Sequence, residues 1–291
     1  MKRFLPFILL LILALIWGSS FKLIKEGLIA LTPMQLTGLR IGVAGMVFWP
    51  VVFSHLRKLR RQDVKWAVLS GFLGSGVPAF LFAFAQTKVN SSAAGALNAM
   101  TPLFTLIIAA LFTGYQMTRP KVLGVLTGLL GALMIIFIRS DGNFEAEFKF
   151  ALSIVLATIC YGANINLIKT KLISYKPLFI STVPLLAVSV IAFITFFASG
   201  GADVLADLQG QNLRSTGAIV LLAILGTSIA LILFNRLIQL TDALFSSSVT
   251  YLIPVVAMLI GWMDQEDIST YQIIGMVLIL LGIYLINRRK T

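Results

Sequence analysis

Polar and aromatic side chains recur within the apolar stretches of this 291-residue chain. Polar groups in apolar surroundings are expensive unless they are hydrogen-bonded or wet, so such residues either line a cavity or join helices. The candidate cavity residues are Trp17, Ser19, Ser20, Arg40, Asn98, Tyr161, Asn164, Ser247, Thr250 and Tyr251. This set is suited to holding a small polar molecule, and it contains no acid, thiol or imidazole for bond-making chemistry.

The rest of the chain also lacks a catalytic or metal-binding pattern. Cys160 is the single cysteine, which excludes a disulfide framework or a thiolate metal site. His55 is the single histidine and lies in a basic loop. We find no Ser/His/Asp set and no phosphate-cradling glycine loop. We therefore expect no metal, no cofactor and no enzymatic activity.

The composition points to lipid as the solvent of this protein. The chain is 58% hydrophobic and 12% charged, with a mean hydropathy of +0.97, whereas a soluble domain carries about 25% charged residues. Apolar runs bounded by charge clusters, Pro or Gly predict ten spanning helices. They are approximately Phe4–Leu23, Pro33–Phe53, Trp66–Gln86, Ser92–Phe112, Lys121–Ile138, Phe150–Ile168, Pro177–Ala198, Gly217–Asn235, Ala243–Trp262 and Tyr271–Ile286.

The chain repeats itself. The stretch from Trp17 to Pro33 returns from Tyr161 to Pro177, and the two copies share identical residues at several positions without a gap. The further matches are Gly18 with Gly162, Gly74 with Gly226, Asn98 with Thr250, Pro102 with Pro254, Gly124 with Gly275, and Gly131 with Gly282. Internal repetition on this scale indicates two copies of one structural unit. We predict an all-α membrane protein whose ten transmembrane helices form two five-helix repeats, residues 1–141 and 142–291.

The distribution of charge predicts how these units lie in the membrane. Because five is odd, the second unit must enter the bilayer in the opposite sense, giving an inverted repeat. A cytoplasmic N-terminus places most of the 23 Lys and Arg residues inside, as the positive-inside rule requires, with both termini cytoplasmic. The net charge of +12 is then a sign of topology, and no nucleic-acid partner is expected. Contact of Arg57 to Arg61 with anionic lipid stays open.

Inverted repeats are the usual basis of alternating access, with a substrate held near the midplane between the halves. Trp17 and Tyr161 are expected to form two walls of one cavity, although an aromatic interface belt is the alternative. Buried amides such as Asn98 and Asn164 either line the cavity or join helices. Arg40, the basic residue within a span, either attracts a substrate carboxylate or serves structure by snorkelling to the surface. In the structural case its acidic partners would be Glu26, Asp264 or Glu266.

Several of these motifs resemble the EamA-like domain of the drug/metabolite transporter superfamily. They are Trp17-Gly18-Ser19-Ser20-Phe21, Leu39-Arg40, the helices of Pro102 and Pro254, the Gly-rich fifth and tenth helices, and Asp264-Gln265-Glu266. The resemblance covers the whole chain as two tandem domains. It implies a ten-helix metabolite carrier, often an exporter of amino acids. The departures are Gly114-Tyr115, where the family commonly has Gly-Glu, and Tyr161-Gly162-Ala163-Asn164, where a second Trp-Gly-Ser would stand.

The sequence thus predicts a multi-pass carrier of the inner (plasma) membrane whose partners are a small polar molecule and the lipid bilayer. Amino acids, moved outward, are the first candidate substrates. A sugar-nucleotide or phosphorylated-metabolite carrier is the alternative, and a lipid flippase or membrane-embedded enzyme is a further one. No span contains a central Asp or Glu, which argues against the proton exchange of small multidrug-resistance transporters.

Overall fold

A computed structural model describes residues 4–50, 59–137, 144–241 and 243–287. Within these ranges every regular element is a helix and none is a strand, since a helix satisfies its backbone hydrogen bonds internally where water is absent. The α-helices are α1 Leu5–Gly27, α2 Pro33–Val47, α3 Val64–Gly71, α4 Val77–Ala85, α5 Ser91–Asn98, α6 Thr101–Thr113, α7 Arg119–Phe137, α8 Phe144–Leu167, α9 Pro177–Ala198, α10 Gly201–Ala206, α11 Gly210–Leu221, α12 Ala230–Leu240, α13 Ala243–Ser247, α14 Ile253–Met263 and α15 Thr270–Asn287.

Seven helical segments of the described chain are long and apolar enough to cross a membrane. They are Leu5–Gly27, Arg61–Ala85, Ser91–Thr113, Phe148–Leu172, Pro177–Ala198, Gly210–Leu240 and Phe245–Met263, with Thr270–Ile286 as a shorter apolar helix. An all-helical, multi-pass membrane protein is therefore confirmed. The count of ten spans stays a prediction, as does the inversion of the second half.

Helix ends differ from the apolar runs that predicted them. The eighth predicted span was Gly217–Asn235, but helical structure extends from Gly210 to Leu240, because polar ends continue the backbone ladder beyond the apolar centre. The helix α2 ends at Val47, and helical structure resumes at Trp49 and Pro50 after a turn at Phe48, while residues 51–53 of the predicted span lie outside the described residues. His55, Arg57, Lys58, Ile138 and the proposed 141/142 boundary lie outside the described residues.

Four helical segments are irregular near their middle. Two contain a π-helix, and the other two are interrupted beside a proline. A π-helix, Phe72–Gly76, joins α3 to α4, and a second, Leu222–Ile229, joins α11 to α12. These contain the matched glycines Gly74 and Gly226. The helix pair α5 and α6 is broken just before Pro102, and α14 begins at Ile253, just before Pro254. Proline fits the first turn of a new helix because it lacks an N–H, and π-turns often mark functional sites.

The helix that carries Arg40 has a well-defined start. Thr32 caps α2 by accepting a hydrogen bond from the Gln35 amide, and the Gln35 side chain accepts one from the Thr32 amide, which completes a capping box. Pro33 follows as the first helical residue. The Gln35 side chain also donates to the Ser199 carbonyl at 2.8 Å, which joins the start of α2 to the end of α9.

Glycines matched by the repeat contact one another across α7 and α15. A Cβ at Gly124 would lie less than 3.0 Å from the Gly282 carbonyl, and one at Gly131 equally close to the Gly275 carbonyl. In the repeat, Gly124 matches Gly275 and Gly131 matches Gly282. Replacing both glycines of the Gly124–Gly282 contact by their matches therefore gives the Gly275–Gly131 contact. An early residue of one helix meets a late residue of the other, so the two helices are antiparallel. Such exchange is the pattern of contacts that a twofold axis produces.

The same exchange recurs between other helices. Gly18 of α1 packs on Val256 of α14, while its match Gly162 of α8 packs on Phe104 of α6. Phe104 and Val256 are separated by the same offset as Pro102 and Pro254. Through these contacts α1, which carries Trp17, packs on α14 of the second half. Likewise α8, which carries Tyr161, packs on α6 of the first half.

Candidate substrate cavity

A cavity opens where these helices meet. It encloses about 1100 Å³ of empty space, the open space at its mouth included. Eight predicted site residues line it: Trp17, Ser20, Arg40, Asn98, Tyr161, Asn164, Ser247 and Thr250. They come from both halves of the chain. No ligand contact tests their role, which stays a prediction.

Two predicted residues, Ser19 and Tyr251, are not among the lining residues of this cavity. Ser19 is half-buried, and its hydroxyl donates to the Leu15 and Ile16 carbonyls of its own helix at 2.9 and 3.0 Å. Tyr251 is half-buried and packs against the main hydrophobic cluster. Ser20, one residue further than Ser19, is turned by about 100° around the helix and reaches the cavity.

Trp17 is held by two contacts with the opposite half. Its indole Nε1 donates to the Gly226 carbonyl at 3.0 Å. That carbonyl belongs to the π-helix, in which the backbone departs from the regular α-helical ladder. The indole ring meets Phe234 edge-on, with centroids 5.0 Å apart and planes at 71°. Trp17 is half-buried with its ring among cavity residues.

Tyr161 contacts the matching phenylalanine of the first half, in a different ring geometry. Its ring stacks on Phe82, with centroids 6.1 Å apart and planes at 25°. Phe82 and Phe234 are separated by the offset that relates Pro102 to Pro254, so the Trp17–Phe234 and Tyr161–Phe82 pairs are exchanged copies. Both pairs line one cavity. The placement of the rings inside the bundle disfavours the alternative of an aromatic interface belt.

The buried amides fall into two groups. Asn166 donates to the Thr105 and Gly162 carbonyls at 2.9 Å each and does not line the cavity, so it joins helices. Asn164 and Asn235 do both: Asn164 accepts from the Ser70 hydroxyl at 2.7 Å, and Asn235 donates to the Ser181 hydroxyl at 2.9 Å, while all four line the cavity.

Asn98 and Asn235 share a further feature, a buried side-chain oxygen without a hydrogen-bond partner among the described residues. Both residues line the cavity. Asn98 lies at the end of α5, where the helix breaks before Pro102. The matched Thr250 hydroxyl donates to the Ser247 carbonyl at 2.8 Å.

Arg40 reaches the cavity from α2. Its Nε donates to the Thr227 hydroxyl at 3.0 Å, within the π-helix of the opposite half. The structural alternative of pairing with an acid is not found: Asp264 and Glu266 bind lysines instead, and Glu26 accepts from Gln211 at 3.4 Å. Arg40 is therefore a cationic lining residue without an ion pair in the described chain.

A charged cluster lies at the end of α1, where Lys22 and Lys25 flank the lining residue Ile24. Lys22 and Lys25 of α1 bind Asp264, and Lys25 also binds Glu266 at 3.1 Å. The Glu266 carboxylate also accepts from the Ser91 and Ser92 amides at 3.2 Å each, at the start of α5. The cluster thus joins α1, α5 and the end of α14.

The charges of this cluster move the pKa values of both acids down. Hydrogen bonds from Lys22 and Lys25 hold the pKa of Asp264 below its ordinary value. Burial alone would raise the pKa of Glu266, but hydrogen bonds from Lys25 and Ser91 outweigh it and the net pKa is lowered. Both acids are therefore charged at neutral pH, and the cluster is intact there.

The opposite face of the bundle has its own polar contacts. The Tyr175 hydroxyl donates to Asp63 at 2.7 Å, and Arg60 forms an ion pair with the same carboxylate at 2.8 Å. The Lys169 ammonium donates to the carbonyls of Ile238 and Thr241. Helices from both halves of the chain therefore meet through polar groups at each end of the cavity.

Sequence reasoning missed several lining residues. They are Ser70, Phe82, Ser181, Thr227 and Phe234. The two phenylalanines carried a usable signal, because they match each other at the repeat offset. The three hydroxyl residues carried none, since a lone hydroxyl in a helix commonly bonds its own backbone.

A multi-pass helical protein with a polar-lined cavity between its helices has the architecture of a small-molecule transporter. The chain belongs to the EamA-like transporter family, which it matches over residues 5–137 and 148–288. This is a family of the drug/metabolite transporter superfamily, as the sequence motifs predicted. Family and relatives indicate a transporter rather than an enzyme.

The relatives span almost the whole chain. An uncharacterized transporter of Archaeoglobus fulgidus is 25% identical over 94% of this chain and 95% of its own length. The uncharacterized inner membrane transporter YedA of Escherichia coli K12 is 26% identical over 99% and 93%. A probable amino-acid metabolite efflux pump of the same strain is 24% identical over 96% and 93%. A solved structure, 19% identical, has a TM-score of 0.62 over 97% of this chain and 96% of that chain, and supports the fold alone.

Proposed function

We propose that this protein is a carrier that exports a small polar metabolite, amino acids foremost, across the inner membrane by alternating access. The observation that supports this most is that two ring pairs related by the repeat, Trp17–Phe234 and Tyr161–Phe82, line one cavity from the two halves of the chain. Two halves that contact each other through exchanged copies of the same residues have two packings of similar energy. One packing opens the cavity to each side.

The proposal includes ten spanning helices in two inverted five-helix repeats, residues 1–141 and 142–291. The antiparallel contact of α7 with α15 through matched glycines supports it. In this mechanism the polar contacts on each face close the cavity on that side, and they break when the cavity opens there. The Lys25–Glu266 cluster would close one side, and the Tyr175–Asp63 contact would close the other.

The proposal of amino acids rests on two supports. One similar protein is named a probable amino-acid metabolite efflux pump. The cavity also offers a guanidinium for a carboxylate, amide oxygens for donors, and apolar and aromatic walls for a side chain. No carboxylate lines the cavity among the described residues, so exchange of the substrate for a proton at such a group is not part of the mechanism.

The location and partners of the protein follow the same proposal. A similar protein of Escherichia coli is named an inner membrane transporter, and the placement of Lys and Arg favours cytoplasmic termini. The partners are a small-molecule substrate and the lipid bilayer, and nucleic acid is not among them. The cationic Arg40 favours one second candidate, a carrier of sugar nucleotides or phosphorylated metabolites.

The test is counterflow in proteoliposomes that contain the purified full-length chain. Labelled leucine, threonine and glutamate are compared with a labelled sugar phosphate. We expect saturable counterflow of at least one amino acid, lost in Trp17→Ala and Tyr161→Ala. Trp262→Ala is the matched control, because Trp262 is 73% exposed on the bundle surface. Counterflow of the sugar phosphate alone would establish the second candidate, and no counterflow of any solute would contradict the carrier.

A further inference from the structure

Two lysines from opposite halves of the chain meet at one tryptophan ring. Lys65 of α3 places its ammonium nitrogen 5.0 Å from the centroid of the Trp66 ring. Lys171, in the π-helix Ile168–Leu172 that follows α8, places its ammonium nitrogen 5.3 Å from the same centroid. The two ammonium groups therefore lie no more than about 10 Å apart. Because the face of an indole attracts cations, the ring keeps two like charges close together.

These two positive charges are not compensated by the protein. Neither Lys65 nor Lys171 forms an ion pair with an acid of the described chain. The sequence explains this, because Asp63 is the single acidic residue within residues 27–140 and residues 148–202 contain none. The Asp63 carboxylate is itself already bound by an arginine and by a tyrosine hydroxyl. An anion that approaches this face of the bundle therefore meets two ammonium groups without a competing carboxylate.

Both lysines lie at the ends of segments that are apolar enough to cross a membrane. Lys65 is the fifth residue of the segment Arg61–Ala85, and Lys171 is the last but one of the segment Phe148–Leu172. The ends of such segments lie at the depth of the lipid head groups, where tryptophan is also common. Leu69 follows Lys65 by one turn on the same side of α3 and is exposed. The two cations therefore lie beside an apolar surface that continues into the membrane.

We propose that this site binds an anionic phospholipid of the inner leaflet. The Lys65 and Lys171 ammonium groups hold its phosphate, and its acyl chains lie along the exposed apolar side of α3. Because Lys65 and Lys171 come from opposite halves of the chain, the bound lipid joins the two halves on this face. Lys65, Trp66 and Lys171 are not among the lining residues of the substrate cavity. The lipid site is therefore separate from that cavity, and the inference does not rest on the proposed function.

A defined site differs from a general attraction of basic residues for anionic lipid. A membrane surface that carries acidic lipids attracts every nearby lysine and arginine to a similar extent. Arg61 and Lys176 are exposed on the same face as Lys65 and Lys171, but neither contacts the ring of Trp66. Removing this second pair changes the net charge by the same amount as removing the two lysines. The second pair is therefore the matched control for the site.

The test is native mass spectrometry of the purified full-length protein, titrated in detergent with palmitoyl-oleoyl phosphatidylglycerol or with phosphatidylcholine of the same chains. We expect the first phosphatidylglycerol to bind the wild-type protein about 10- to 30-fold more tightly than phosphatidylcholine, since each lysine near a membrane surface contributes about 5-fold. The double variant Lys65→Gln, Lys171→Gln loses most of this preference. The double variant Lys65→Arg, Lys171→Arg keeps it, because both positive charges remain. The control Arg61→Gln, Lys176→Gln also keeps it.

Three results would overturn the inference. Equal binding of the two lipids by the wild-type protein would do so without recourse to any variant. An equal loss of preference in the control pair would show a diffuse basic surface instead of a site at Lys65 and Lys171. Displacement of bound phosphatidylglycerol by millimolar glycerol 3-phosphate would assign the site to a free phosphate compound instead of a lipid. The substituted side chains are all exposed, and the unfolding temperature of each variant without added lipid verifies that it is folded.

Discussion

The contact between α7 and α15 gives a quantitative prediction about Gly124. A Cβ at this position would lie less than 3.0 Å from the Gly282 carbonyl and 2.8 Å from the Ile286 side chain. The carbonyl cannot move aside easily, because it belongs to the backbone of a packed helix. Gly124→Ala therefore forces the two helices apart. We expect a steric cost of about 1–3 kcal/mol, the usual range for overpacking.

A second glycine isolates this steric cost. Alanine is favoured over glycine within a helix by about 1 kcal/mol, which partly offsets the cost at Gly124. Gly217 lies within α11 and has no atom within 4 Å of an added Cβ. Gly217→Ala therefore gains the helix propensity without the clash, and we expect it to be slightly stabilising. The difference between the two variants then measures the clash itself.

The assay is reversible unfolding of the purified protein in mixed micelles, titrated with dodecyl sulfate. Gly282→Ala should match Gly124→Ala, because each Cβ meets the other residue's carbonyl. The double variant should cost less than the sum, since the first substitution already separates the helices. If Gly124→Ala proves as stable as Gly217→Ala, the close packing of these helices, and with it the exchanged glycine contact, is refuted.

Three further predictions concern polar and aromatic contacts. Because the pKa of Glu266 is lowered in the folded protein, its contribution to stability is present at neutral pH and lost as the pH falls through that lowered pKa. The stability difference between the wild-type protein and Glu266→Gln should therefore shrink on acidification, and a difference that is constant from pH 7 to pH 3 would contradict this. Asn166→Leu should destabilise by about 1–3 kcal/mol, because it removes two buried hydrogen bonds of the Asn166 amide group. Counterflow by the folded fraction should nevertheless be unchanged, and slower counterflow would place Asn166 in the cavity. Phe82→Leu and Phe234→Leu should reduce counterflow to a similar extent, each losing a ring contact worth about 0.5–1.5 kcal/mol, whereas an effect at only one site would argue against exchanged roles.

Repetition within the sequence carried most of what could be predicted. It paired Trp17 with Tyr161 and Asn98 with Thr250, and the structure brings all four residues to one cavity. It also contained the match of Phe82 with Phe234, which was overlooked because these are two of 21 phenylalanines in an apolar chain.

Contacts between distant helices could not be predicted in the same way. The partner of Arg40 is Thr227, which is 187 positions away in the chain. Sequence offered three acids as partners, since opposite charge is the only signal that charge patterns carry, but the lysines of α1 hold two of them. Ser19 and Ser20 are neighbours in sequence, and only the rotation of α1 decides which of them lines the cavity. Such choices depend on packing that no local pattern records.

Alternating access is tested most directly by the accessibility of one cavity residue from both sides of the membrane. Ser75 lines the cavity, so Ser75→Cys in a Cys160→Ser background places one thiol there. Lys88→Cys and Thr170→Cys, on opposite faces of the bundle, serve as controls that each react from one side. We predict that a membrane-impermeant thiol reagent labels Ser75→Cys from either side during transport, while Thr170→Cys reacts only from the cytoplasmic side. Labelling of Ser75→Cys from a single side, in protein that is actively transporting, would contradict the account.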